Sequence, residues 1–462
     1  MIKEACGIFG IAFHPEAAHL TRLGLFALQH RGQESAGIFL KRGEECEIQK
    51  GMGLVGEVFS KLPKEWWKTP NQTMAIGHVR YSTSGRSSIV NAQPFAVEFD
   101  KWHLALAHNG TLSDGAYWRQ QLKRSGAIFQ GDLDTEAILH LAAQHHEEGD
   151  TPWKALEWAL GHIEGAFSVV ALCEDGLMAA RDPRGFRPLA MGRLESGSIV
   201  FASETSAFDM MGAKYERDVK PGEMIVVKHD GQVISTQFSV AKKISHCIFE
   251  HVYFSRPDST VFGDCVYSVR KRLGAQLAKE HPVDADIIMP VPDSGTYAAL
   301  GYAEASKIPF EMGIMRNHYI GRTFIKPSPD DRKAAVNLKL NPIRKAIEGK
   351  KICLVEDSIV RGNTSRERVL TMRENGAAEV HMRISCPPHI APCFYGIDFP
   401  SAEELIAYTH SIDEIAELIG ADSLAYISLD GMLSCTTQPP GNFCHACFSG
   451  KYPVPPKQCK KM

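Results

Sequence analysis

No apolar run of roughly 18 residues occurs in this chain of 462 residues, so no membrane-spanning helix is expected. The opening, MIKEACGIFG, is too short in apolar stretch and too acidic for a secretory signal. An excess of either charge is missing as well. The 51 Lys and Arg nearly balance 54 Asp and Glu, and a net charge of −3 offers little to a nucleic acid or an anionic membrane. These absences leave a cytoplasmic protein with neither nucleic acid nor membrane as partner. What is present is ordinary for globular chains, 44% hydrophobic and 23% charged, and the length calls for two domains or more. Cysteine is not scarce. Twelve of them in a reducing compartment argue against a disulfide framework and for core packing, metal ligation or catalysis.

The most informative stretch is 351–365, KICLVEDSIVRGNTS. Ile352 to Val355 form an apolar run suited to a strand buried on both faces. The acidic pair Glu356 and Asp357 follows, then Ser358, Arg361, Gly362, Asn363, Thr364 and Ser365. Loop amides, hydroxyls and a helix N-terminus can hold a phosphate. The carboxylates have the wrong sign for phosphate and must face sugar hydroxyls or a cation. The run resembles the phosphoribosyl-pyrophosphate (PRPP) loop of type I phosphoribosyltransferases. That resemblance implies Glu356 and Asp357 on the ribose hydroxyls and Mg²⁺, and 358–365 around the 5-phosphate. The closest relatives more often carry Asp where Glu356 stands.

At the other end, Cys6 heads the apolar stretch CGIFGIA. It is either a small buried hydrophobe or, with residues 1–5 removed, a nucleophile whose own α-amine, of pKa about 8, serves as base. Four further stretches bear on the choice: LQHRGQESAGI, GHVRYSTSG, AHNGTLS and GDLDTEAI. Together they resemble the N-terminal-nucleophile, or class II, glutamine amidotransferases over about 6–235. The resemblance implies Cys6 as nucleophile, Arg80 on the glutamine carboxylate, Asn109 and Gly110 as oxyanion-hole donors, and Asp134 on the substrate ammonium.

Beyond about residue 236, strand and helix patterns alternate, which predicts a parallel sheet with ligands at the carboxyl ends of its strands. The loop PVPDSG falls at one such end, and by the same resemblance Asp293 and Ser294 would meet the diphosphate or its Mg²⁺. The basic, aperiodic stretch 316–342 reads as a lid, with Arg322 and Lys326 as candidates to neutralise the leaving pyrophosphate.

The CxxC of Cys444 and Cys447 alone suggests zinc or redox chemistry. CIFEHVYF, PCFYGID and CHACFSGKYP resemble the iron–sulfur-containing members of the glutamine PRPP amidotransferases. That implies Cys247, Cys393, Cys444 and Cys447 as ligands of a [4Fe–4S] cluster, with zinc as the alternative occupant and Cys386 as the rival to Cys393. Cys46, Cys173, Cys265 and Cys353 read as core residues.

The whole chain thus resembles the amidophosphoribosyltransferase family. The fold implied is an αββα N-terminal-nucleophile sandwich at 6–235, followed at 236–462 by an α/β phosphoribosyltransferase sheet with a cysteine-rich end. The activity implied is transfer of ammonia from glutamine to PRPP, the committed step of purine synthesis. Feedback by purine nucleotides and a homotetramer are family expectations. A PRPP-sensing regulator would be expected to carry a basic DNA-binding segment, which is missing. Other class II amidotransferases lack the PRPP loop.

Overall fold

The structure is a computed structural model that describes residues 6–43, 45–68, 73–81, 86–99, 102–146, 151–240, 242–317, 340–397, 399 and 401–455. Residues 1–5, Arg322 and Lys326 lie outside the described residues. Among the described residues no helix is long and apolar enough to cross a membrane.

The amino-terminal strands form two stacked antiparallel sheets. The first has seven strands, with Gly7–Ile11 between Ile199–Ala202 and Met74–Arg80. The second has six, with Trp102–Leu112 between Phe95–Phe99 and Gly165–Cys173. Period-two alternation explains why both sheets are buried on both faces. Ile8 packs between the sheets, whereas Phe9 and Ile11 pack outward against the helix Ala17–Ala27. In the same way Ala105 and Ala107 face the partner sheet, and Leu104 and Leu106 face the helices Thr135–Gln144 and Pro152–His162. The order of layers is helix, sheet, sheet, helix.

The second unit is built on four parallel strands, in the order Ile287–Pro290, Lys351–Glu356, Glu379–Ile384 and Ser423–Tyr426. Each strand is short and apolar, as expected of a sheet covered on both faces. The helices Val266–Glu280 and Thr296–Ser306 pack against each other beside it, and Asn363–Glu374 follows the acidic pair.

Three pieces distant in sequence are joined at the C-terminal end. His246–Cys247 pairs in parallel with Phe443–Cys444, which sets Cys247 opposite Cys444. The amides of Ile390 and Ala391 donate to the Cys447 carbonyl at 3.0 and 3.2 Å. Tyr452 donates its hydroxyl to the Pro392 carbonyl. Of the cysteines expected in the core, Cys173 and Cys353 are buried and Cys46 is half-buried. Cys265 is exposed, because it ends a two-residue strand at the surface just ahead of the helix Val266–Glu280.

Two candidate active sites and an ionic bridge

At the head of its strand Cys6 is buried, and its thiol donates to the Tyr81 carbonyl at 3.6 Å. That contact sets it next to Arg80, the last residue of the neighbouring strand. Burial pushes the Cys6 thiol up, against the opposing charges of Arg80 and Arg31. A buried thiol of this kind needs a local base before it can attack. Arg80 is also buried, with Nη1 donating to the Arg86 carbonyl at 3.3 Å and Glu34 at 3.7 Å.

The opposite sheet supplies the next pair. His78 donates Nε2 to the His108 carbonyl at 3.1 Å, so the strand of Arg80 meets the residue preceding Asn109. Asn109 is fully buried, yet neither its amide nitrogen nor its oxygen has a partner among the described residues. An unsatisfied buried amide costs on the order of 1–3 kcal/mol, and it is suited to a ligand that arrives later. Gly110 sits at φ +143, and a Cβ there would lie 2.0 Å from the Ala166 carbonyl oxygen, so no other residue fits. Asp134 accepts from the Leu112 amide at 2.7 Å at the start of its helix. Thr135, His108 and Gln93 share a buried hydrogen-bonded triangle that holds this helix to the strand of Asn109. Cys6 and Arg80, and likewise Asn109, Gly110 and Asp134, are thus brought together as neighbours.

The residues that tie this site to the second unit, Arg31, Arg187, Glu204 and Glu250, lie outside the predicted site residues. Arg31 donates Nε to the Cys6 carbonyl at 3.1 Å. Its other two nitrogens grip Glu250, at 2.9 and 2.8 Å, and Nη1 also meets Glu204. Arg187 meets the same Glu250 at 3.0 Å and donates twice to the Tyr395 carbonyl, at 3.1 and 2.8 Å. All four side chains are fully buried. Burial opposes ionisation of Glu204 and Glu250. His30 and Arg31 nevertheless hold Glu204 well below the usual carboxylate range, and Arg31 and Arg187 lower Glu250. The signal was present in CIFEHVYF and RGFRP, since a carboxylate within an aromatic run must be paired.

In the second unit, Glu356 and Asp357 are buried at the carboxyl end of their strand. Burial, with Asp357 beside it, pushes the Glu356 carboxyl up to about 7, while Ser365 donates to it at 3.0 Å. Burial also raises Asp357, against hydrogen bonds from Ser294 and Ser358. Ser294 therefore joins the loop 290–295 to the acidic pair. Gly362 takes φ +78 just ahead of the helix that begins at Asn363, whose first turn contains Thr364 and Ser365. Two expected contacts are engaged elsewhere. Asp293 forms an ion pair with Arg316, and Arg361 pairs with Glu404 at the surface. Two carboxylates suit Mg²⁺, which usually takes one or two from the protein and the rest from water and substrate phosphates.

Cys247, Cys393, Cys444 and Cys447 are all free thiols and lie within electrostatic reach of one another. Burial pushes Cys247 up to about 12 and raises the other three. A buried set of unpaired thiols with no disulfide fits a soft metal centre. No three ligating side chains among the described residues converge closely enough for a single ion. Cys386 is buried and donates to the Pro387 carbonyl, nearer the acidic pair.

Removing the shared carboxylate tests the bridge. Glu250→Ala leaves Arg187 buried without its carboxylate and Arg31 with Glu204 alone, and should lower stability by about 3–5 kcal/mol in chemical denaturation. Arg193→Ala, which breaks an exposed pair with Glu216, should cost less than about 1 kcal/mol. Equal losses would contradict the bridge.

Comparison with known proteins agrees with this geometry. The glutamine amidotransferase domain family matches residues 78–210. A soybean (Glycine max) chloroplastic amidophosphoribosyltransferase is 48% identical over 460 residues, 99% of this chain and 79% of that one. The amidophosphoribosyltransferase of Bacillus subtilis is 46% identical over 98% of this chain and 95% of its own. A solved structure described as the allosteric regulatory enzyme of purine biosynthesis superposes with a TM-score of 0.91 at 46% identity, covering 98% of this chain and 97% of that one. The B. subtilis glutamine PRPP amidotransferase, solved with ADP and GMP, gives 0.89 at 45% identity and 97% of both chains. The chain belongs to the amidophosphoribosyltransferase family.

Proposed function

We propose that this chain makes 5-phosphoribosylamine, glutamate and pyrophosphate from PRPP, glutamine and water, the first committed step of purine synthesis. We assign glutamine hydrolysis to 6–235 and phosphoribosyl transfer to 236–462. The observation that supports the reading most is the one ion network that reaches Cys6 from one side and the PRPP unit from the other.

With residues 1–5 removed, the α-amine of Cys6 takes the thiol proton, and the thiolate attacks the glutamine amide carbon. Arg80 holds the substrate carboxylate and Asp134 its ammonium. The tetrahedral oxyanion takes hydrogen bonds from the free Asn109 amide and the Gly110 N–H, which together stabilise it by several kcal/mol. Collapse expels ammonia, which carries off the proton from the α-amine, and leaves a thioester at Cys6. Water then releases glutamate. Ammonia attacks C1 of the bound PRPP with inversion, and pyrophosphate leaves. Glu356 and Asp357 orient the ribose hydroxyls, and 358–365 take the 5-phosphate. Mg²⁺ at Asp357, Glu356 and Ser294 would neutralise charge on the diphosphate.

Free ammonia is mostly protonated near neutral pH, and the ammonium ion is not a nucleophile. Transfer therefore runs inside the protein. Arg322 and Lys326 remain our candidates for the closing lid. We assign Cys247, Cys393, Cys444 and Cys447 to a [4Fe–4S] cluster that supplies structural cross-linking. Feedback by purine nucleotides, a homotetramer and a cytoplasmic setting complete the reading.

Three measurements follow. Cys6→Ala should abolish synthesis from glutamine and spare synthesis from added ammonia; loss of both would mean the sites are not separable. Metal analysis should find iron with acid-labile sulfide, and stoichiometric zinc would overturn the cluster. Glu356 is protonated below about 7, and the neutral form accepts hydroxyl hydrogen bonds poorly. The apparent KM for PRPP should therefore rise about tenfold as pH falls from about 8 to about 6. Glu356→Gln should remove that dependence, and an unchanged profile in the variant would refute the assignment.

A further inference from the structure

The oxyanion hole has a wall that comes from the other half of the chain. Gly396, in the cysteine-rich segment, takes φ +102, and a Cβ built on it would lie 3.1 Å from both Cα and C of Gly110. The Gly110 backbone is thus enclosed between the Ala166 carbonyl on one side and Gly396 on the other. A hydrogen-bonded ring closes around this contact. Gly110 pairs with Phe167 in the sheet, and the next residue, Ser168, donates its hydroxyl to the Arg187 carbonyl at 3.1 Å. Arg181 donates to the same carbonyl at 2.7 Å. The Arg187 side chain then clamps the Tyr395 carbonyl, immediately before Gly396. Tyr395 itself is fixed, with its ring stacked on Phe186 at 4.4 Å and its hydroxyl donated to the Val454 carbonyl at 2.6 Å.

A cavity of about 240 Å³ opens beside the segment, lined by Thr111, Leu112, Cys393, Phe394 and Ile397. The clamp and the packing of Tyr395 and Ile397 together hold the segment in place.

We propose that Gly396 and Arg187 are positioning residues for glutamine hydrolysis: the 393–397 segment presses the Gly110 backbone into the orientation in which its N–H meets the oxyanion. The glutaminase is then complete only when the cysteine-rich end of the chain is docked. This rests on the reading of Asn109 and Gly110 as the oxyanion hole, and the test separates the two.

The experiment uses the full-length enzyme with Gly396→Ala, Arg187→Lys and Asn109→Ala. Glutaminase kcat and KM, ammonia-dependent synthesis, and inhibition by the γ-aldehyde analogue of glutamine are measured. The aldehyde forms a thiohemiacetal on Cys6 whose oxygen occupies the oxyanion position. A methyl group at Gly396 would lie 3.1 Å from both the Gly110 backbone and the Arg187 guanidinium, so the clamp and the Gly110 backbone must shift by tenths of an ångström between them. We expect glutaminase kcat and aldehyde affinity each to fall about tenfold or more, with glutamine KM changed less than about threefold. Ammonia-dependent synthesis stays within about twofold, which shows that the fold is intact. Arg187→Lys shifts the same two quantities in the same direction, because one ammonium cannot span Glu250 and the Tyr395 carbonyl. An unchanged kcat, a change confined to KM, or parallel loss of both activities would overturn the proposal. Asn109→Ala should lose aldehyde affinity whatever Gly396 does; if it does not, the oxyanion-hole assignment itself has failed.

Discussion

The carboxylate of Glu250, wholly buried, is shared by two guanidinium groups that reach it from the glutaminase sandwich. An isolated charge cannot be buried at tolerable cost, and here the acid and its two arginines neutralise one another. Arg31 continues to the backbone of Cys6, and Arg187 continues to Tyr395. On its own side Glu250 opens the helical turn Glu250–Phe254, which Ser255 closes by donating back to the carboxylate at 2.8 Å. Arg270 then takes the carbonyls of His251, Tyr253 and Ser255, and its charge lies near Asp357. A series of ionic and hydrogen-bonded contacts thus runs from the Cys6 backbone through Glu250 to Arg270, on the side of Asp357.

A buried ion cluster is a poor source of net stability, since well-packed apolar groups can do as well. Its value lies in geometry. Bidentate arginine contacts fix distance and direction together. Two units joined in this way present the Cys6 thiol, Asn109 and Gly110, and the acidic pair in one fixed relation. A nitrogen released at one site has a defined neighbour at the other.

Much of this was legible in the sequence because the chemistry is local. The stretch 351–365 carries strand, acids and phosphate loop in one run, and its fold follows from that order. Cys6, Arg80, Asn109 and Asp134 each sit inside a recognisable motif. Glu250 sits in an aromatic run that calls for a partner, but Arg31 lies 219 residues away and nothing local names it. The contact of Gly396 with Gly110 was hidden for the same reason. Asp293 and Arg361 show the opposite limit. A short motif names the residue but not the competing partners, Arg316 and Glu404, that engage it in this conformation.

The central claim is that the nitrogen released at Cys6 reaches PRPP without mixing with solvent. It is tested most directly by supplying glutamine labelled with ¹⁵N at its amide together with unlabelled ammonium in the medium, and reading the isotope in 5-phosphoribosylamine. Transfer inside the protein predicts that the product keeps the label undiluted at ammonium concentrations too low to support synthesis alone. Dilution in proportion to the added ammonium would contradict it.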